Sequence, residues 1–478
     1  MRPSSSNALR LAARLAPSPA PAALGFVCAG CRIQYQATNA TTTVATALRR
    51  RRLSSTSSVR TRGPSQSSSG LVALSSRRLI SISGPDAPKF LQGVITQNIL
   101  APQQAADTSL TFRTDGFYGA FLTATGRVLY DVFIYPDTRP EQQQHQQQTN
   151  SGENTSFLVE VDAHEATRLE KHIKRYKLRA KFAVRLLDPG EVTVWHGWED
   201  DSGGRAALDA ASQGVEDFHR FVHMRDPRAP GLGWRMVKSG DREPLVDLPR
   251  VKKAGGKEGE QEGEEELVYR LRRYLYGVAE GQAEILREAA LPLESNLDVM
   301  QGVDFRKGCY VGQELTIRTK HRGVVRKRIL PVVLYGEGGA AAAEAGEIPQ
   351  ELAYHPGLLD AGAIPAETSI GRLGKKGRST GKWLRGVGNV GLALCRLETM
   401  TDVVLPGETA ASTFNPADEF VMEWQQQQQQ EERQQAGDDV ATEAGDGAAE
   451  AKSVKIKAFV PEWLRQRLGE QNGAHGHS

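Results

Sequence analysis

The chain has 478 residues, 39% of them hydrophobic, enough for about three domains with their own cores. No run of about 18 apolar residues occurs, which excludes a hydrophobic membrane-spanning helix. The first 53 residues hold eight Arg and no acid, so the net charge of +3 becomes −5 without them, a poor balance for a general nucleic-acid binder.

From Met1 to Pro85 there is no Asp, Glu or Lys, while twelve Arg are spread among Ser, Ala and Thr. That is the composition of a mitochondrial transit peptide, whose positive charge responds to the membrane potential and to acidic receptors. Residues 1–53 are assigned to it, with cleavage near Leu53 after Arg49, Arg50, Arg51 and Arg52, and disorder is expected to about residue 70. A basic tail that binds nucleic acid is the alternative, although such tails usually carry Lys as well. Cys28 and Cys31 form a C-x-x-C that would be lost with the segment, leaving Cys309 and Cys395. Two cysteines make no disulfide framework, which suits a reducing compartment.

Residues 71–83 read as a strand region that ends at Gly84-Pro85-Asp86, with Asp86 placed to cap a helix from Ala87. Phe90, Leu91, Val94 and Ile95 recur on one face of that helix. Residues 108–113 and 118–135 suggest paired strands turning at Gly126. A Gln-rich loop insertion spans 138–154. Residues 157–161 are strand-like, Asp162 would cap a helix through Tyr176, and residues 183–187 return as a strand. Strand, helix, strand is the unit of a ferredoxin-like α+β layer.

Val192 to Trp195 and Trp234 to Val237 continue the sheets. Residues 252–266 are too polar to bury anything and read as a second exposed insertion. A helix restarts over 268–278 with Leu271, Leu275 and Val278 on one face. Past Arg328, residues 329–335 form a strand, 336–367 an Ala/Gly-rich insertion, 389–397 a strong strand, and 424–452 a Gln-rich and acidic insertion. Residues 454–460 would close a small β-barrel. Cys395 shares strand parity with Ala393 and Leu397 and reads as core.

The stretch that carries chemistry is Lys307-Gly308-Cys309-Tyr310-Val311-Gly312-Gln313-Glu314. Gly308 and Gly312 let the backbone turn sharply and leave the Cys309 thiol accessible. Arg306 and Lys307 precede it, and Arg318, Lys320, His321 and Arg322 follow. Such charge favours thiolate over thiol if the chain folds it around the sulfur. A lone cysteine is more often a small buried hydrophobe, and the chemistry by itself leaves both readings open.

These eight residues resemble the signature of the YgfZ branch of the folate-binding, GcvT-like superfamily, and residues 315–328 resemble its mitochondrial members, which are iron-sulfur cluster assembly factors. Gly84-Pro85-Asp86-Ala87 with Phe90-Leu91-Gln92-Gly93 is similar to the superfamily's opening motif. Gly126-Arg127-Val128-Leu129-Tyr130-Asp131 is similar to its second strand pair. The resemblance implies an α+β fold: GcvT-like, ferredoxin-like α/β layers around a central cleft over 71–328, then a small C-terminal β-barrel over 329–465. It implies that Arg127, Asp131, Glu294, Asn296 and Asp298 could face a cleft for tetrahydrofolate, although ordinary helix capping also accounts for Asn and Asp.

In function the resemblance implies a mitochondrial matrix factor for assembly or transfer of iron-sulfur clusters. Its expected work is [4Fe-4S] maturation of aconitase-type and lipoate-synthase or radical-SAM-type apo-targets, with A-type carrier proteins and through Cys309. A cluster takes four ligands, chiefly cysteine thiolates. With one plausible cysteine, the chain needs a partner to complete a [4Fe-4S] or [2Fe-2S] site. The rival is a tetrahydrofolate-dependent aminomethyltransferase of the glycine-cleavage T-protein kind, which lacks the cysteine loop. A third reading, an RNA-modification helper, sits poorly with an acidic mature chain, and no stable nucleic-acid partner is expected.

Overall fold

The computed structural model describes residues 68–100, 112–113, 115–137, 139, 156–200, 221–240, 264–336, 348–357, 359–375, 377–405, 413–425 and 451–474. The expected transit peptide with Cys28 and Cys31, and nearly all of the Gln-rich insertion, lie outside these residues.

Two antiparallel sheets face each other in the first part of the fold. The four-stranded sheet runs β1-β7-β9-β8, from β1 (Ser69–Ala73), β7 (Val192–Glu199), β8 (Phe221–Arg225) and β9 (Trp234–Ser239). The five-stranded sheet runs β3-β4-β5-β2-β6, from β2 (Arg77–Ser83), β3 (Phe117–Leu122), β4 (Val128–Pro136), β5 (Ser156–Asp162) and β6 (Ala183–Leu186). The strand region expected over 71–83 is therefore two strands in different sheets, broken at Ser75-Ser76.

Every residue of β3 and β4 is buried, because both faces of their sheet are covered. Val132 and Ile134 pack toward helices α1 (Ala87–Val94) and α2 (Ala166–Lys177) with Leu91, Leu169 and Ile173. The alternate residues Phe133 and Tyr135 pack toward the four-stranded sheet with Val194, Trp198 and Val237. Neither helix start is capped as expected. The Asp86 carboxylate accepts from the Lys181 amide at 2.6 Å, and Asp162 from His164 and Gln282, with Glu165 standing at the α2 N-cap.

Helix α3 (Glu264–Tyr276) begins inside the polar insertion expected over 252–266. Glu266 is buried, and its carboxylate accepts from the Ser75 amide, the Ser75 hydroxyl at 2.6 Å and the Ser76 amide at 3.0 Å. A glutamate can be buried when donors meet it, and these lie 190 and 191 positions upstream. Gly277, with φ +71, ends the helix in a Schellman motif: its amide bonds Tyr274 O and the Val278 amide bonds Arg273 O. Val278 is thus the second residue past the helix rather than part of it.

The C-terminal part is a closed six-stranded barrel in the order β10-β13-β12-β11-β14-β15. Its strands are β10 (Lys327–Tyr335), β11 (Ser369–Arg372), β12 (Gly381–Val387), β13 (Val390–Arg396), β14 (Phe420–Gln425) and β15 (Ala451–Ala458). Leu330, Val332, Ile370, Trp383, Ala393, Cys395, Met422 and Ile456 fill it. The expected α+β architecture with a C-terminal barrel is the one formed.

All four insertions are smaller than expected, the 252–266 tract by the start of α3 and the 424–452 stretch by the ends of β14 and β15. Ala361 and Ile364, inside the 336–367 stretch, belong to the barrel core, and Arg139, inside 138–154, is buried against Asp137 at 2.7 Å. β14 and β15 pair as far as Gln425 with Ala451, so residues 426–450 join the ends of one hairpin. Helices α4 (Gln313–Arg322), α5 (Leu397–Met400) and α6 (Glu462–Ala474) complete the order.

Candidate functional site

The cysteine loop is fastened on both sides of Cys309. The Lys307 ammonium donates to Gln92 O at 2.8 Å, Ile95 O at 2.7 Å and Gln97 O at 3.0 Å, closing the C-terminal end of α1. Its nitrogen also lies 4.9 Å from the centre of the buried Tyr310 ring. Burial pulls the Lys307 pKa down to about 7, against the pull of Asp304. The Val311 amide donates to Gly93 O at 3.0 Å, and Asp304 N to Thr96 O at 3.0 Å. Thr96 itself donates through its hydroxyl to Gly302 O at 2.5 Å.

Gly312 takes φ +79 as the N-cap of α4, and a Cβ there would stand 2.2 Å from Thr123 O. The start of α4 thus nests in the β3–β4 turn, which only a glycine in the left-handed region permits. Gly308 is different: a Cβ there would meet nothing within 4 Å. Between these anchors Cys309 is an exposed free thiol. Gln313 accepts from the Tyr310 amide at 3.2 Å, and Glu314 is exposed in the first turn of α4, where its charge suits the helix dipole.

The cations expected to gather at the sulfur are divided. Lys307 is committed to carbonyls, and Lys320 lies 5.3 Å over the Phe305 ring. Arg306, Arg318, His321 and Arg322 are exposed. Cys395 is buried in the barrel, where desolvation pushes its thiol pKa well up, and it is core as expected. Among the described residues, no group of three or more His, Cys, Asp or Glu is arranged to hold a metal ion.

The five residues expected around one cleft stand in three places. Asp131 is buried in β4, accepting from the Gly281 amide at 3.1 Å and Gln282 Nε2 at 3.2 Å, with Arg77 at 3.9 Å. Burial raises its pKa although Arg77 opposes this. It belongs to an ionic network between the sheets: Arg77 and Arg235 on Glu160, Arg228 and Arg235 on Glu280, and Arg228 on Asp226. Both Arg77 terminal nitrogens, Asp131 Oδ2 and the Tyr118 hydroxyl are buried there without a hydrogen-bond partner.

Asn296 and Asp298 hold Arg328. Arg328 meets Asp298 with two bonds of 2.8 and 3.0 Å and Asn296 Oδ1 at 3.1 Å, while Asn296 Nδ2 donates to Ile329 O at 2.6 Å. Arg127 and Glu294 do come together, on a cavity of about 430 Å³ between the barrel and residues 284–295, with Lys327, Arg378, Lys382 and Arg396 on its walls. Burial raises the Glu294 pKa there, opposed by Lys327 and Arg127. A half-buried carboxyl with cations around it fits the ring N–H groups and glutamate tail of a folate; Asp131 is not on this wall.

Sequence reasoning missed Gln92, Ile95 and Gln97 as the seat of the Lys307 ammonium. Of these only Gln92 lies in the Phe90-Leu91-Gln92-Gly93 motif, and backbone carbonyls as acceptors leave no side-chain signal. None of the described helices is long and apolar enough to cross a bilayer.

The family model of the CAF17 C-terminal β-barrel domain matches residues 326–418. A mitochondrial iron-sulfur cluster assembly factor IBA57 homolog of Chaetomium globosum is 51% identical over 411 residues, 84% of this chain and 85% of its own. That of Pyricularia oryzae is 51% identical over 85% of this chain and 87% of its own, and that of Neurospora crassa 47% identical over 94% and 91%. Among solved structures, the glycine cleavage system aminomethyltransferase T of Bartonella henselae is similar with a TM-score of 0.47 and 12% identity, covering 84% of this chain and 88% of that one; the topology above stands without it. With about half of all residues identical across more than four-fifths of both chains, this chain belongs to the mitochondrial IBA57 homologs, the iron-sulfur cluster assembly factors.

Proposed function

We propose that, within mitochondrial iron-sulfur cluster assembly, Cys309 is the residue that meets the cluster. The observation that carries this reading is a free, exposed thiol on a loop pinned by Lys307 to α1 and by Gly312 to the β3–β4 turn. A pinned loop presents its thiol to a partner without losing chain entropy on docking. The thiolate supplies one ligand to the cargo cluster, [2Fe-2S] or [4Fe-4S], and an A-type carrier supplies the others. The matured cluster then passes to aconitase-type and lipoate-synthase or radical-SAM-type apo-targets in the matrix. On this reading residues 1–53 are removed on import, and 71–328 and 329–465 act as the two folded domains.

The test is anaerobic cluster reconstitution with and without an A-type carrier, comparing wild type with Cys309→Ser by absorption and Mössbauer spectra. A cluster that forms only with both carrier and Cys309 supports an interface ligand. Equal spectra for the two chains would reject it.

A second reading rests on the 430 Å³ cavity that joins Arg127 to Glu294. Tetrahydrofolate would lie there, its ring on Glu294 and its glutamate on the wall cations, and a bound folate would supply one-carbon carrier chemistry as in an aminomethyltransferase. Titration with tetrahydrofolate, followed by fluorescence, decides it: binding lost in Glu294→Ala supports the site, and absence of binding to wild type rejects it.

A further inference from the structure

Helix α2 ends in an unusual turn. The Ala180 amide donates to Lys177 O at 2.9 Å, and Leu178 between them takes φ 49° and ψ −115°. Those are the angles of the first central position of a type II′ turn, where glycine normally stands. Here a leucine stands there with 86% of its surface exposed, the most of any large apolar side chain among the described residues. Tyr176 beside it is 51% exposed, its ring 4.6 Å from that of His172.

Positive charge surrounds this tip. Arg168 and Lys174 are paired with Glu165 and Glu170. Lys171, Arg175, Arg179 and Lys181 are exposed and form no ion pair among the described residues, and Lys177 lies 5.3 Å over the Phe182 ring. The helix dipole accounts for cations in the last turn of α2. It does not account for Arg179 and Lys181 beyond the helix, nor for an apolar side chain lifted into water at a strained position. The tip is also rigid. The Lys181 amide donates to Asp86 at 2.6 Å, and the Phe182 and Phe90 rings pack with centres 4.9 Å apart.

We infer that this tip docks the protein on an anionic phospholipid bilayer. Leu178 enters the acyl boundary, Tyr176 sits at headgroup level, and the five cations meet lipid phosphates. An acidic protein would be attracted by the same charges. A stable protein interface, however, needs about 800 Å² on each side, whereas a single apolar anchor ringed by cations suits shallow insertion. The chain is otherwise acidic after residue 53, so the attraction is local to this tip. The inference is independent of Cys309.

The processed protein, purified from mitochondria, is floated with vesicles of phosphatidylcholine alone and with about one-third cardiolipin. Salt-sensitive flotation with the anionic vesicles only is expected. Arg175→Gln with Arg179→Gln should lower it about tenfold or more, and Leu178→Ser several-fold, with unchanged thermal unfolding as the folding control. Three results would overturn the proposal: no flotation of wild type, equal binding to neutral vesicles, or flotation unaffected by both variants. If wild type ignores the vesicles but the arginine substitutions weaken its binding to an acidic protein, the tip is a protein dock instead.

Discussion

The Lys307 ammonium lies 2.7 Å from the Ile95 carbonyl oxygen, so the residue two before the exposed cysteine closes the end of a helix 212 positions upstream. The basic side chain of the motif therefore serves the position of the loop and not the charge of the sulfur. Chemistry and anchoring are divided between neighbours, which makes them separable by substitution.

Lys307→Met should destabilise the fold by about 2 kcal/mol, because three carbonyls at a helix end lose their donor. Cys309→Ser should change stability by less than about 0.5 kcal/mol, as for an exposed side chain without partners. Urea midpoints of the two variants check the contrast.

The two motif glycines should differ as sharply. Gly312→Ala forces a Cβ against Thr123 O at a positive φ and should cost roughly 3 kcal/mol. Gly308→Ala meets nothing and should be nearly neutral. Thermal unfolding of both variants decides whether only the second glycine is required.

Asp298 is a structural partner of Arg328, so Arg328→Met should cost about 3–5 kcal/mol by leaving a buried carboxylate unpaired. If Asp298 and Asn296 were ligand acceptors instead, the loss would appear in ligand affinity with stability preserved. Denaturant titration with and without tetrahydrofolate separates the two.

His196 is buried, and desolvation lowers its pKa from 6.5 to about 3. Between those values the unfolded chain binds one more proton than the folded one, so stability is lost as pH falls through that window. The loss should reach about 2 kcal/mol by about pH 5. His196→Gln, which keeps a donor for Leu232 O, should remove that part of the acid sensitivity. Matching pH profiles of the two chains would refute this.

Leu178→Gly should stabilise the protein by about 1 kcal/mol, since glycine adopts φ 49° without strain. Differential scanning calorimetry reads the rise in Tm.

Much of the fold was legible. Near-continuous apolar runs marked β4 and β10, and the Gly84-Pro85-Asp86 turn marked the start of α1. Three features were not. Ser75-Ser76 carries no Gly or Pro to announce that β1 and β2 belong to different sheets. The polar 252–266 tract concealed Glu266, whose burial rests on donors from Ser75 and Ser76. Strand β12 escaped because Lys382 and Arg385 interrupt its apolar pattern, being the outward-facing residues of a barrel.

The sequence by itself determined most of the strands and helices of the first part, the targeting composition of the N-terminal segment and the cysteine motif, because period, composition and local glycine spacing are properties of neighbouring residues. Only the tertiary structure decided where the charges go. It sent Lys307 to helix α1, Asp131 into a buried ionic network, Asp298 to Arg328, and Arg127 with Glu294 to a shared cavity. Each of those partnerships joins residues distant along the chain, and a buried charge accepts whichever partner the packing brings within reach.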